Sequence, residues 1–124
     1  MRTIAIVGSR TGFNRKDVND EMKKVINDFT NEEGDIICQF ISGGAPGVDT
    51  YAYEFNKNLP YPRKFEVLRP IDPSIKINYL YRNAEIIGKA DMVLVFWNGE
   101  SKGTKFTWDY AKARNKNIRV FMNG

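Results

Sequence analysis

The chain has 124 residues, 42% hydrophobic and 27% charged, a size for which one domain is expected and a composition that excludes a disordered polyampholyte. Net charge is +4, and the excess lies after Asn98, where Lys102, Lys105, Lys112, Arg114, Lys116 and Arg119 face only Glu100 and Asp109. Histidine is absent and Cys38 is the only cysteine, which excludes a Ser–His pair, an internal disulfide and a histidine-based or cysteine-rich metal site.

Thr3–Val7 is a short β-branched run and reads as the first strand, ending at Gly8-Ser9-Arg10. No long apolar segment precedes it, so neither a signal peptide nor a membrane span is expected, and the cytoplasm is the expected location. Val18, Met22, Val25, Ile26 and Phe29 recur at helical spacing, with Asn14 or Thr11 as the cap. Ile36–Ile41 reads as the second strand, with Cys38 inside it as a small buried hydrophobe. The turn Ser42-Gly43-Gly44-Ala45-Pro46-Gly47-Val48-Asp49 follows, and Val48, Tyr51, Ala52 and Phe55 mark a helix beyond it.

Lys64–Leu68, flanked by Pro60, Pro62 and Pro70, reads as a short edge strand. Ile77, Leu80, Tyr81, Ala84 and Ile87 give the third helical stripe, and Met92–Trp97 is continuously apolar, as a buried parallel strand should be. The turn Asn98-Gly99-Glu100-Ser101-Lys102-Gly103-Thr104 then leads into a helix marked by Phe106, Tyr110 and Ala113, and Ile118–Met122 is the last strand. This alternation predicts an α/β, Rossmann-like three-layer sandwich with five parallel strands in the order 3-2-1-4-5. In that order the strands before the three glycine turns are neighbours, so Ser9, Gly44, Asp49 and Gly103 are expected to line one crevice.

Small residues between a strand and a helix N-terminus expose backbone N–H groups that favour an anion. Three such turns predict a pocket for a phosphate-bearing ligand. Asp49 reads either as a helix cap or as an acceptor from a ribose hydroxyl. Ser101, Gly103 and Thr104 offer hydroxyl and backbone donors to phosphate, and Arg82 reads either as a phosphate ligand or as a solvated or ion-paired surface residue. Neither Gly-x-Gly-x-x-Gly after the first strand nor a Gly-Lys-Ser/Thr P-loop end is present. The candidate acids are Asp49, Glu54, Glu85, Asp91, Glu100 and Asp109. The basic C-terminal segment reads as a solvated helix face in preference to a nucleic-acid surface, because no arginine-rich run or aromatic ladder accompanies it.

Gly8-Ser9-Arg10, the Ser42–Asp49 turn, Arg82-Asn83 ahead of Ala90-Asp91, and Gly103-Thr104 together resemble the SLOG superfamily, in particular its small YspA-like (DUF2493) branch. Relatives there include the LOG cytokinin-activating phosphoribohydrolases, the single-stranded-DNA-binding DprA proteins and molybdenum-cofactor carriers. The resemblance implies a Rossmann-like fold that binds nucleotides or NAD-derived, ADP-ribose-like molecules. It implies ligand contacts from Gly8, Ser9, Arg10, Gly43, Gly44, Gly47, Asp49, Arg82, Gly103 and Thr104. The loop here is Gly99-Glu100-Ser101-Lys102-Gly103 where LOG enzymes carry Pro-Gly-Gly-x-Gly, and Thr107 stands at the place of their catalytic glutamate. The expectation is therefore a binding module for a small-molecule nucleotide, with no assigned cofactor, catalytic residue or metal. A nucleotide N-glycosidase using Asp49 or Glu100 is the alternative, a DprA-like nucleic-acid binder is disfavoured, and homo-oligomerisation is left open.

Overall fold

The computed structural model describes residues 1–123. Its elements alternate along the chain: β1 (Arg2–Gly8), α1 (Arg15–Asp28), β2 (Cys38–Ser42), α2 (Val48–Lys57), β3 (Phe65–Val67), α3 (Lys76–Lys89), β4 (Met92–Trp97), α4 (Lys102–Ala113) and β5 (Asn117–Met122). All strand pairs are parallel, in the order β3-β2-β1-β4-β5. This is the predicted Rossmann-like sheet, with β1 at its centre. Ile4 lies between Phe40 and Met92, and Ala5 between Ile41 and Val93.

Side chains alternate across a strand, so the sheet buries one residue set on each face. On one face Ile4, Ile6, Phe40, Leu94 and Phe96 pack against Val18, Met22 and Val25 of α1 and Val48 and Ala52 of α2. On the other, Ala5, Val7, Ile41, Val93 and Val95 pack against Ile86 and Ile87 of α3 and Ala111 of α4. Cys38 is fully buried in the first layer, and burial pushes its thiol up to about 11. Such a thiol stays protonated near neutral pH and acts as a small apolar group.

Local sequence explains the helix starts. Asn14 caps α1, accepting from the Asp17 N–H at 2.8 Å while Asp17 accepts from the Asn14 N–H at 3.1 Å, a reciprocal pair that satisfies two exposed donors. Ser101 caps α4 through its hydroxyl and the Thr104 N–H. Gly47 precedes α2 at φ +88° with its ideal Cβ position 2.5 Å from the Arg10 carbonyl oxygen, so only glycine fits where the first and second glycine turns meet.

Two helical stripes differ from expectation. On α3, Ile77 and Tyr81 are 47% and 65% exposed, and Ile86 and Ile87 carry the buried face. On α4, Phe106 and Ala113 are exposed, and Thr104, Thr107 and Ala111 are buried. The inward face of α4 carries two threonines because it closes on the cleft described below, so its hydroxyl-bearing residues read as surface in the sequence. Among the described residues, no helix is long and apolar enough to cross a membrane.

Candidate functional site

The C-terminal ends of β1, β2 and β4 lie side by side, and the turns leaving them converge where the winding of the sheet reverses. They enclose a cleft of about 170 Å³, whose wall is completed by α3 and the start of α4. Gly8, Arg10, Gly43, Asp49, Arg82, Gly103 and Thr104 line this cleft together. Ser9, Gly44, Gly47 and Ser101 do not. The Ser9 hydroxyl is buried and accepts from the Asn98 N–H at 3.1 Å, which ties the β1 turn to the β4 turn. Ser101 is occupied with capping, and Gly47 with the close approach to Arg10. Gly44 faces a second hollow behind the turn. The expected crevice of Ser9, Gly44, Asp49 and Gly103 is thus corrected: only Asp49 and Gly103 of the four line it.

Asp49 is the most constrained polar group of the cleft. It is 6% exposed, and its Oδ2 accepts from the Ala45 N–H at 3.1 Å. That bond braces the preceding loop rather than capping α2. Its Oδ1 is buried and makes no hydrogen bond of normal geometry among the described residues. Burial pushes this carboxyl up to about 6, against the Ala45 and Gly43 N–H groups and the charges of Arg82 and Arg10, which favour the ionised form. A buried acceptor without a donor is costly, so the cleft is preorganised for a hydroxyl or amine that supplies one. Of the six candidate acids only Asp49 lines the cleft. Asp91 accepts from the Thr3 N–H at the other end of the sheet, Glu54 pairs with Arg15, and Asp109 pairs with Lys105 and Lys112.

Arg82 reaches from α3 over the β2 turn. Its Nη1 donates to the carbonyls of Gly43 at 3.0 Å and Leu68 at 3.1 Å, and its Nε donates to Asn83 Oδ1 at 2.7 Å. Its Cζ lies 5.4 Å from the ring centre of Tyr79. Burial lowers its pKa, and the charges of Arg69 and Arg10 act in the same direction. The guanidinium is therefore partly structural, with Nη2 remaining for a ligand.

At the third turn the Thr104 N–H is taken by the Ser101 hydroxyl, while the Lys102 and Gly103 N–H groups have no acceptor among the described residues. Those are the orphan donors an anion would meet at the start of α4. Thr107 also lines the cleft, but its hydroxyl donates to the Gly103 carbonyl at 2.9 Å. Tyr79, Leu80, Asn83 and Ile86 complete the wall. The sequence offered no site signal for Leu80 and Ile86, since an apolar helix residue reads as core in either position. Asn98 carries another unanticipated role: its Oδ1 accepts from the Glu100 and Ser101 N–H groups, both at 2.9 Å, and shapes the third turn.

The basic C-terminal segment is largely engaged within the fold. Lys105 and Lys112 pair with Asp109 and lie over the Trp108 ring, Arg114 donates to the Tyr110 hydroxyl, Lys116 donates to the Ala90 carbonyl, and Arg119 pairs with Asp28.

No family model and no curated protein matches the chain. Solved structures do. DNA processing protein A from Helicobacter pylori, described for its single-stranded DNA binding mode, superposes with a TM-score of 0.71 at 22% identity, covering 96% of this chain and 64% of its own. The protein TM1055 gives a TM-score of 0.70 at 16% identity over 95% of this chain and 72% of its own. DNA processing protein A from Streptococcus pneumoniae gives 0.65 at 21% identity over 97% of this chain and 50% of its own. The chain thus spans less than two thirds of either DNA processing protein A. At these identities the likeness establishes a shared fold and nothing finer.

Proposed function

We propose that the cleft binds a nucleotide or an NAD-derived, ADP-ribose-like ligand, and that the chain is a binding module of the YspA-like branch. The observation that carries this reading is the unpartnered Oδ1 of buried Asp49, held beside open glycine turns and two arginines. A ribose hydroxyl donates to Asp49, and the phosphate takes the free N–H groups of Lys102 and Gly103 with Arg10 and Arg82 as counter-charges. The ligand is expected to enter only in part, because a cleft of about 170 Å³ is smaller than the roughly 300–1,000 Å³ of whole-ligand pockets. Thr107 supports binding over hydrolysis. An oxocarbenium-like centre is steadied by a carboxylate, and the Thr107 hydroxyl is already committed to Gly103. The DprA neighbours favour a second reading, a nucleic-acid strand across the same cleft. Against it, most of the basic residues after Asn98 are engaged within the fold.

Differential scanning fluorimetry with AMP, ADP and adenosine tests the proposal. The two nucleotides are expected to raise the melting temperature, with stabilisation following RT ln(1 + [L]/Kd), about 2.7 kcal/mol at a hundred times Kd, and adenosine to raise it much less. No shift with any nucleotide overturns the reading. A shift with oligonucleotides alone moves it to the nucleic-acid alternative.

A further inference from the structure

Behind the β2 turn lies a second cavity of about 400 Å³, between α2 and the end of β3. It meets the first cleft at Asp49, which lines both. Its volume falls within the roughly 300–1,000 Å³ of small-molecule sites. Tyr53 gives it an aromatic wall and is 43% exposed, with its ring edge-on to Phe65. Lys57 and Arg69 give it positive charge, while its one other acid, Glu54, is already paired with Arg15.

The two spaces are joined by guanidinium groups. An ideal Cβ on Gly43 would lie 2.5 Å from Arg82 Nη1, and one on Gly44 would lie 3.1 Å from Arg69 Nη1. Gly43 leaves the space that Arg82 fills, while Gly44 is required by its φ of +69° and by Val67 Cγ1, 2.6 Å from its ideal Cβ position, with Arg69 packed beside it. Among the described residues Arg69 donates one long bond, to the Gly44 carbonyl at 3.4 Å, and Arg10 on the first cleft is exposed. None of Arg10, Arg69 and Arg82 forms an ion pair among the described residues. Arg69 and Arg82 are near enough to repel each other, and the buried Asp49 is the carboxylate whose charge acts on Arg82. Arginines held together without an ion-paired carboxylate suit a ligand carrying more than one negative charge.

We propose that the second cavity is a subsite for the far nucleoside of a pyrophosphate-linked dinucleotide, whose bridging phosphates lie on Arg82 and Arg69 across Gly43–Gly44 and whose far base stacks on Tyr53. The inference rests on nucleotide binding in the first cleft and adds where the rest of the ligand lies.

Isothermal titration calorimetry with AMP, ADP and diadenosine diphosphate tests it, on the wild type and on Arg69→Ala and Tyr53→Ala, with melting temperatures as the folding control. Tyr53 is half-exposed and Arg69 exposed, so both variants retain the fold. Diadenosine diphosphate is expected to bind at least about ten-fold tighter than AMP, the scale of one stacked base plus one charge-assisted contact, with ADP between them. Either substitution is expected to remove most of that gain while leaving the AMP affinity within about two-fold. Equal affinity for AMP and diadenosine diphosphate, or a gain that survives both substitutions, overturns the second subsite and leaves the first cleft's reading standing. Failure of all three ligands to bind overturns both.

Discussion

Replacing Asp49 by Asn is expected to make the protein more stable at alkaline pH and worse at binding. The carboxyl stands at about 6 in the folded chain against 3.8 for an unperturbed group, a rise caused first by burial. For an acid raised in this way, the native-state advantage of the protonated form is complete below the unfolded value and is lost as pH climbs through the folded one. A rise of about two units corresponds to about 3 kcal/mol lost by pH 8, and roughly 1.4 kcal/mol of it disappears between pH 5 and pH 8. Asn has the same shape, retains an oxygen for the Ala45 N–H and does not titrate. Whatever its amide costs at the unpartnered position is the same at both pH values and cancels in the difference. Urea unfolding of both proteins at pH 5 and pH 8 reads that difference. The variant is expected to gain about 1.4 kcal/mol on the wild type between the two. Its affinity for AMP is expected to fall by about 1.5–3 kcal/mol, because the amide repels the hydroxyl proton that the carboxylate accepts. Parallel pH dependences in the two proteins would refute the argument that Asp49 is buried and under-ionised. Unchanged AMP affinity would refute its contact with the ligand.

Arg82→Ala is expected to weaken AMP binding by about 1.5–3 kcal/mol in calorimetry and also to lower the melting temperature, since the Gly43 and Leu68 carbonyls lose their donor. Gly47→Ala is expected to destabilise by more than about 1 kcal/mol in chemical denaturation, from its positive φ and the clash with the Arg10 carbonyl. Asn98→Ala is expected to cost about 1–3 kcal/mol by the same method, because the Glu100 and Ser101 N–H groups lose their shared acceptor. Wild-type protein incubated with AMP or NAD should leave both intact on chromatography. Steady release of base, lost in Asp49→Asn, would make this an enzyme with Asp49 as its carboxylate.

The strand order was legible because each strand announces itself locally: β1 and β4 as unbroken apolar runs, β3 by the prolines around it. Parallel alternation then leaves few topologies. The turns were legible for the same reason, since glycine clusters between a strand and a helix have few other uses. Which turn residues face the cleft was not. Ser9 and Ser101 look like ligand donors in sequence, yet the buried Ser9 oxygen accepts from the Asn98 N–H and the Ser101 hydroxyl both donates to and accepts from Thr104. Asp49 could be placed at the start of α2, but its orphaned oxygen depends on burial by elements distant in the chain. The faces of α3 and α4 were misjudged because each helix packs on the sheet at one end and borders the cleft or solvent elsewhere. Tyr81 and Phe106 are therefore exposed, while Thr104 and Thr107 are buried.

Amide NMR of the uniformly labelled protein titrated with AMP bears on the ligand reading through the backbone groups from which the site is built. Saturable shifts are expected at Gly8, Gly43, Lys102 and Gly103, with Asp49 and Arg82 side-chain signals moving at the same Kd and the α1 amides staying still. Shifts confined to the basic α4–β5 surface, or none at millimolar AMP, would contradict a nucleotide site at the converging glycine turns.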